Sequence, residues 1–243
     1  MADKYPSLSP YNYCAWNPLK LVDPDGKDIW QVDKSGQLKW KEESDVDRIV
    51  ALNGSYVDVA EGILKRGISY TKDDGHFFLN FENNSDNATE VFEFLADNAS
   101  VEFSLIGIAK DPLTDNPDRF YLSTSFQPDG DSFGSDYACR ASSKNHMRSH
   151  THNHPGDNAP IIPSSILNNG SILVPFANIS RGDDLGLANY IKEGSPSCSF
   201  NIYHSSKGGE YRPYAICNSR GIPSYDYKHS QVSKKGGSYA LIR

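Results

Sequence analysis

The chain has 243 residues, 37% of them hydrophobic, and its 24 basic and 31 acidic side chains give a net charge of −7. This length suffices for one large domain that buries a core, or for a medium-sized domain with an extension. With no block of lysine or arginine to neutralise phosphates, a nucleic-acid partner is not expected. No apolar run approaches the roughly 18 to 20 residues of a membrane helix, so no membrane span is expected and the fragment is predicted to be soluble.

The first 26 residues are rich in Pro, Asn, Asp and Tyr, which predicts turns and irregular chain. Within them, "SLSPYNYCAWNPLKLVDPDG" strongly resembles the end of the RHS repeat-associated core, a secreted or surface-exposed bacterial shell of YD repeats. In that family a variable C-terminal domain, often a toxin, follows this segment. The resemblance implies that residues 1–26 are a remnant of the shell and that residues 27–243 are its cargo, delivered to a target cell as part of a larger secreted protein.

Strands and one helix are predicted in the first half of the cargo. "KDIWQVDKSGQLKW" is typical of a β-hairpin with a glycine-containing turn. "SYVDVAEGIL" and "HFFLNFEN" are rich in β-branched and aromatic residues and therefore favour strands. In "NSDNATEVFEFLADNAS" a polar start that can cap a helix precedes apolar residues at helical spacing, namely Val91, Phe92, Leu95 and Ala96.

The second half is predicted to mix the same elements. "VEFSLIGIAK" and "DRFYLSTSF" favour two neighbouring strands joined by an Asp- and Pro-rich turn. "PSSILNNGSILVPF" is strand-like, "ISRGDDLGLANYIKEG" is typical of a capped helix that ends at glycine, and "SFNIYHSSKGGEYRPYAICNSRG" favours a further hairpin. The whole pattern predicts an α/β or α+β fold, with a mixed, largely antiparallel sheet flanked by helices.

A histidine-rich stretch, "RSHTHNHPGDNAP" at 148–160, carries His150, His152 and His154 at a spacing of two. On a strand, all three imidazoles project from one face. Buried neutral imidazoles need polar partners, so a metal site is their natural use. A solvent-exposed loop with fortuitous histidines is the alternative. A hydrolytic zinc ion takes three protein ligands and leaves a position for water, so another ligand and a carboxylate base are expected elsewhere.

Candidates for these further roles lie on both sides of the histidines. Ser180 and Asp183 are three residues apart at the start of the predicted second helix, where they share a face. A helix-capping box explains that pair equally well. Glu102 begins an apolar strand, where a charge needs a reason, although simple exposure at the strand end is the alternative.

Taken together, a helix, a glutamate leading an apolar strand, His-x-His-Pro about fifty residues later and then Ser-x-x-Asp resemble the JAB/MPN/JAMM metalloproteases. The resemblance spans roughly residues 86–190. It implies a cytidine deaminase-like core at 86–243, preceded by a β-rich extension at 27–85. Members of that family cleave peptide or isopeptide bonds, notably of ubiquitin-like proteins.

The resemblance also implies roles for individual residues. His152, His154 and Asp183 match the ligands of a catalytic Zn2+. Glu102 matches the general acid/base that activates water, and Ser180 matches the serine that stabilises the oxyanion. A protein or peptide substrate, including a ubiquitin-like one, and a cognate immunity protein are therefore the expected partners.

The position of the serine and of the third ligand leaves an alternative open. Twenty-four residues separate Pro155 from Ser180, which requires an insertion relative to the family. A compact alignment instead reaches an earlier serine and places Leu167 or Asn168 at the ligand position, where the former cannot bind zinc and the latter binds weakly. A displaced Asp183 would leave a catalytically inactive binding module of the same fold.

Two further points stay open. His150 can be a substitute ligand, a group that supports the ligands, or a guard at the pocket mouth, and His150 with His152 can form the binding pair. A metal-dependent nuclease toxin is the remaining functional alternative, and the acidic charge and the lack of a basic groove speak against it.

Overall fold

The computed structural model describes residues 27–128, 144–155, 194–205 and 209–214, residues 188 and 191, and the pairs 216–217, 223–224 and 233–234. The proposed shell remnant at 1–26 and most of 156–193 lie outside these residues. The predicted elements "PSSILNNGSILVPF" and, apart from residues 188 and 191, the helical part of "ISRGDDLGLANYIKEG" fall there.

A four-stranded sheet begins the described part of the chain. It consists of β1 (Asp28–Val32), β2 (Leu38–Glu43), β3 (Arg48–Ala51) and β4 (Tyr56–Asp58), in the order β2-β1-β3-β4. The predicted hairpin is confirmed, because β1 and β2 pair antiparallel around the turn that contains Gly36. β1 runs parallel to β3, and β3 runs antiparallel to β4. The strand predicted in "SYVDVAEGIL" covers only Tyr56–Asp58, and the chain turns a few residues later at Gly62, which has a φ of +79°.

A larger, seven-stranded sheet carries most of the remaining strands. These are β5 (Phe77–Asn80), β6 (Ser104–Ile108), β7 (Arg119–Thr124), β8 (Met147–Asn153), β9 (Ser199–His204), β10 (Glu210–Tyr214) and β13 (Ser233–Lys234). Two short strands, β11 (Ile216–Cys217) and β12 (Pro223–Ser224), pair separately with each other. Their order is β13-β10-β9-β8-β6-β7-β5. Only the β8–β9 pair in this order is parallel. The predicted mixed, largely antiparallel sheet is thus confirmed.

The helix α1 (Ser85–Asn98) matches its prediction closely. The side chain of Asn84 accepts a hydrogen bond from the main-chain N–H of Asn87 and so caps the first turn. The buried face of α1 has its residues at helical spacing and packs on β4, β6 and β7. α1 has 14 residues, and within the described ranges no helix is long and apolar enough to cross a membrane.

One hydrophobic core joins the two sheets and α1. A series of aromatic rings runs through it from Trp30 of β1 to Tyr70, then to Phe77 of β5 and on to Phe103, with centroid separations of 5.1, 5.7 and 6.3 Å. The first two of these contacts are edge-to-face, and contacts of that kind add to the free energy that burial supplies. The four-stranded sheet therefore supports the chain immediately before β6.

The two faces of the larger sheet differ in chemistry. Phe103 and Leu105 belong to the core with α1, whereas Ser104 between them is fully buried but absent from that core. Because side chains alternate along a strand, Ser104 lies on the opposite face, in a row with its register partners Ser123 and His152. A buried polar row thus crosses the centre of the sheet.

The turn at Gly36 packs against residues just before β6. Gly36 has a φ of +79°, and a Cβ atom there would lie 2.5 Å from the Val101 side chain and 3.2 Å from Phe103. The main-chain N–H of Ser100 donates to the carbonyl of Lys34 in this turn, at 2.8 Å. The hairpin therefore packs directly on the segment that leads into β6.

Replacing Gly36 with alanine is expected to lower the free energy of unfolding by about 1–3 kcal/mol, because the added methyl group overpacks this contact at a strained φ. Gly67→Ala is the matched control, since Gly67 has the same φ but nothing within 4 Å of an added Cβ. Chemical denaturation of both variants and the parent measures the difference. Equal losses in the two variants would show that the contact with Val101 contributes nothing.

Candidate metal centre

The strand that carries the histidines lies at the centre of the larger sheet. β8 pairs antiparallel with β6 and parallel with β9, so it has neighbours on both sides. His150 and His152 lie within β8 and are 3% and 4% exposed. The alternative of a solvent-exposed loop is therefore wrong for these two residues.

His154 follows the end of β8 and is held by β9. Its main-chain N–H donates to the carbonyl of Tyr203 at 3.3 Å. Tyr203 is anchored on the other face of the sheet, where its hydroxyl donates to Asp97 at 2.8 Å. Burial and this contact with Asp97 raise the pKa of Tyr203. The chain at His154 thus continues the geometry of β8 beyond its last residue.

His152 and His154 present their imidazoles to each other. Their Nε2 atoms lie 3.2 Å apart, and their ring centroids are separated by 5.0 Å. Two nitrogen lone pairs at this distance repel each other, so the pair needs a proton or a cation between them. Two nitrogen ligands of one tetrahedral zinc ion, each about 2.0–2.1 Å from the metal, would lie about 3.3 Å apart. The observed separation fits a shared metal ion.

Glu102, which lies two residues before β6, completes this cluster. Its Oε1 atom lies 3.8 Å from Nε2 of His154, and its side chain is only 10% exposed. The candidate ligand atoms of Glu102, His152 and His154 all lie within 4.8 Å of one another. Two imidazole ligands with a carboxylate beside them form a site that suits a divalent transition metal. The residues present therefore fit a metal ion.

The position of Glu102 differs in one respect from its prediction. β6 begins at Ser104, so Glu102 precedes the strand by two residues rather than opening it. It is nevertheless buried, at 8% exposure, and simple exposure at a strand end is therefore wrong. A buried carboxylate needs partners that compensate for lost hydration, and its Oε1 atom lies 3.8 Å from Nε2 of His154.

His150 lies outside the cluster of candidate ligands in the described part of the chain. Its Nε2 atom contacts the Ser104 hydroxyl at 3.2 Å, and its ring lies 5.5 Å from that of His152. Ser104 is the register partner of His152, so the contact of Ser104 with His150 lies directly beside the cluster. The geometry therefore favours His152 and His154 over His150 and His152 as the metal-binding pair.

The remaining predicted site residues are not covered by the structure. Ser180 and Asp183 lie outside the described residues, as does the alternative ligand Asn168. Their roles stay predictions.

The sequence pattern did not indicate three buried residues near the site, Ser104, Thr124 and Asn153. They form hydrogen bonds to His150 or to the main chain at residues 102 and 103. Their partners lie far away in the sequence, so no local pattern indicates these residues.

The comparison with protein families agrees with this geometry. Residues 80–186 match the family model described as JAB-like toxin 1. The match includes Glu102, His152 and His154 and supports a JAB-like toxin domain in this part of the chain, with which the mixed α+β fold is consistent. No curated protein and no solved structure matches the chain.

Replacing either His152 or His154 with alanine is expected to remove the bound divalent metal, about one ion per chain in the parent. His150→Ala is the matched control and should retain most of the metal, because its ring contacts Ser104 rather than the cluster. Elemental analysis after metal loading and desalting measures the content, and circular dichroism checks folding. Metal lost in His150→Ala but kept in His154→Ala would identify the other pair as ligands.

Proposed function

We propose that the chain carries a zinc-dependent hydrolase domain that cleaves peptide or isopeptide bonds and acts as the C-terminal toxin of an RHS protein. One observation carries the proposal: a buried glutamate carboxylate lies beside two imidazoles whose separation suits one metal ion. The match of residues 80–186 to JAB-like toxin 1 supports the same chemistry. The sequence resemblance of residues 1–26 to the RHS core supports the delivery route.

The ligand set of the proposed enzyme combines described and undescribed residues. His152 and His154 supply two neutral nitrogen ligands, and Asp183 is the proposed third. Zinc, when bound, polarises the scissile carbonyl and lowers the pKa of water towards neutrality. Three protein ligands leave one coordination position for the reaction, which is the arrangement of a catalytic rather than a structural site.

The chain's own residues handle the protons. Glu102 accepts a proton from the attacking water and returns it to the leaving amine, a role that suits a buried carboxylate 3.8 Å from a ligand imidazole. Ser180 is the proposed hydrogen-bond donor to the developing oxyanion. His150, whose Nε2 atom contacts the Ser104 hydroxyl, takes no direct part in the proposed reaction.

The proposed partners follow from this reaction. The substrate is a protein or peptide, and ubiquitin-like proteins are one class to test. A cognate immunity protein in the producing cell is the second proposed partner. Secretion or surface delivery belongs to the larger RHS protein, and the target cell is where the hydrolase acts.

Replacing Glu102 with glutamine should reduce hydrolysis by about 10²- to 10⁴-fold, because the amide keeps the shape but cannot accept the proton. Zinc content should persist. A library of fluorogenic peptides and a panel of isopeptide-linked ubiquitin-like substrates measure turnover, with Glu90→Gln on the exposed side of α1 as the control. Full activity in Glu102→Gln would rule out the proposed base, and a metal-loaded parent inactive on every substrate would favour a binding module.

Replacing Asp183 with asparagine tests the proposed third ligand. We expect zinc affinity to fall by more than about tenfold, since a carboxylate ligand is exchanged for a weak neutral one. Asp184→Asn is the matched control, because it removes the same charge from the adjacent position. Competition with a chromophoric chelator measures both variants. Equal affinity in the two variants, together with a loss in Asn168→Ala, would transfer the ligand role to Asn168.

A further inference from the structure

The main chain on both sides of Glu102 lies outside the regular pairing of the sheet. Residues 101–103 precede β6, whose register with β8 begins at the pair of Ser104 and His152. A carboxylate on such a segment is free to shift unless other groups fix the main chain. Buried main-chain N–H and carbonyl groups here also need partners.

Asn153 supplies two of these partners with one side chain. Its Oδ1 atom accepts a hydrogen bond from the N–H of Phe103 at 2.7 Å, and its Nδ2 atom donates to the carbonyl of Val101 at 3.1 Å. These two hydrogen bonds bracket Glu102. Asn153 is 1% exposed, so water cannot replace them easily.

Thr124, at the end of β7, binds the same segment. Its hydroxyl donates to the carbonyl of Glu102 itself at 2.6 Å and accepts from the N–H of Phe126 at 3.0 Å. The N–H of Glu102 donates to the carbonyl of Gln127 at 2.8 Å. The main chain of Glu102 is therefore held from the β7 side, while Asn153 holds its two neighbours.

Asn153 also lies between the two candidate ligands in the chain. His152 and His154 flank it directly, so any shift of Asn153 also shifts the two histidines. One residue thus connects the histidine pair to the segment that carries the carboxylate. The relation between Glu102 Oε1 and His154 Nε2, 3.8 Å apart, depends on this connection.

We propose that Asn153 and Thr124 are positioning residues that fix the Glu102 carboxylate at a set distance from the metal-binding imidazoles of His152 and His154. The inference rests on the proposed zinc site, whose ligands it takes as given. Neither residue touches metal or substrate in this account. Both act through the main chain at Glu102.

Zinc affinity provides a readout that does not need a substrate. A carboxylate close to a dication strengthens its binding through the Coulomb interaction, and this gain falls as the distance grows. If Asn153 acts through Glu102, its removal weakens zinc binding only while position 102 carries the charge. If Asn153 merely supports the fold, its removal has the same effect with or without that charge.

The experiment is a double-mutant cycle on the full chain, with zinc affinity measured by chelator competition. Asn153→Ala should weaken binding by about 10- to 100-fold, the usual range for groups that orient a metal site. In the Glu102→Gln background the same substitution should change affinity by no more than about twofold. Thr124→Val should behave like Asn153→Ala, and Thr124→Ser, which restores the hydroxyl, should recover parental affinity.

Asn87→Ala is the matched control for the loss of hydrogen bonds. The Asn87 side chain accepts from the N–H of Ala60 and donates to the carbonyl of Asp58, both at 2.8 Å, so it brackets one residue just as Asn153 does. It contacts no residue of the metal cluster. Thermal unfolding of Asn87→Ala gives the stability cost of such a pair of bonds, while its zinc affinity should stay parental.

The possible results separate the two proposals. An equal loss of affinity for Asn153→Ala in both backgrounds, or parental affinity in Asn153→Ala and Thr124→Val, overturns the positioning role and leaves the zinc site intact. If Asn153→Ala does not fold, the Thr124 pair decides alone. A parent chain that binds no zinc overturns the proposed function and this inference with it.

Discussion

The arrangement of the site depends on two imidazole nitrogen atoms held 3.2 Å apart in a nearly dry environment. In water each ring would readily exchange this contact for hydrogen bonds to solvent, because each imidazole nitrogen needs a donor or acceptor as partner. Here the sheet fixes the main chain that carries the rings, since β8 has hydrogen-bonded neighbours on both sides and the N–H of His154 donates to Tyr203. The free energy of folding therefore holds two candidate ligands close together, so that the cost of ordering them would be met before any ion arrives.

The carboxylate comes to this pair by a different route. Glu102 does not belong to a strand, and its position follows from side chains that bind the main chain around it. An irregular segment placed in this way can orient a side chain that a regular strand would direct to one face or the other. The hairpin turn at Gly36 and the aromatic rings from Trp30 to Phe103 support the same segment from the α1 side. Hydrogen bonds to the main chain and packing from the α1 side thus both fix the segment that carries Glu102.

The sequence predicted those features that depend on local periodicity. The capped helix, the first hairpin and the alternation that places three histidines on one face all follow from residues close together in the chain. Residues 101–103 and 153 are some fifty positions apart, and no local pattern reveals that one asparagine binds the main chain there. The parallel pairing of β8 with β9 is of the same kind. The resemblance to a metalloprotease family, rather than any local pattern, brought Glu102 together with the histidines.

The core shared by the two sheets bears on how this domain can evolve and be handled. The region that matches the toxin family begins at residue 80, yet Trp30, Leu38 and Tyr70 are buried in the core with Phe103. A fragment trimmed to that region would expose these contact surfaces to solvent and so would tend to aggregate. Recombination that keeps this fold intact would accordingly preserve the chain from β1 onwards as one inherited piece, since a crossover near residue 80 would separate the candidate metal centre from the packing that supports it.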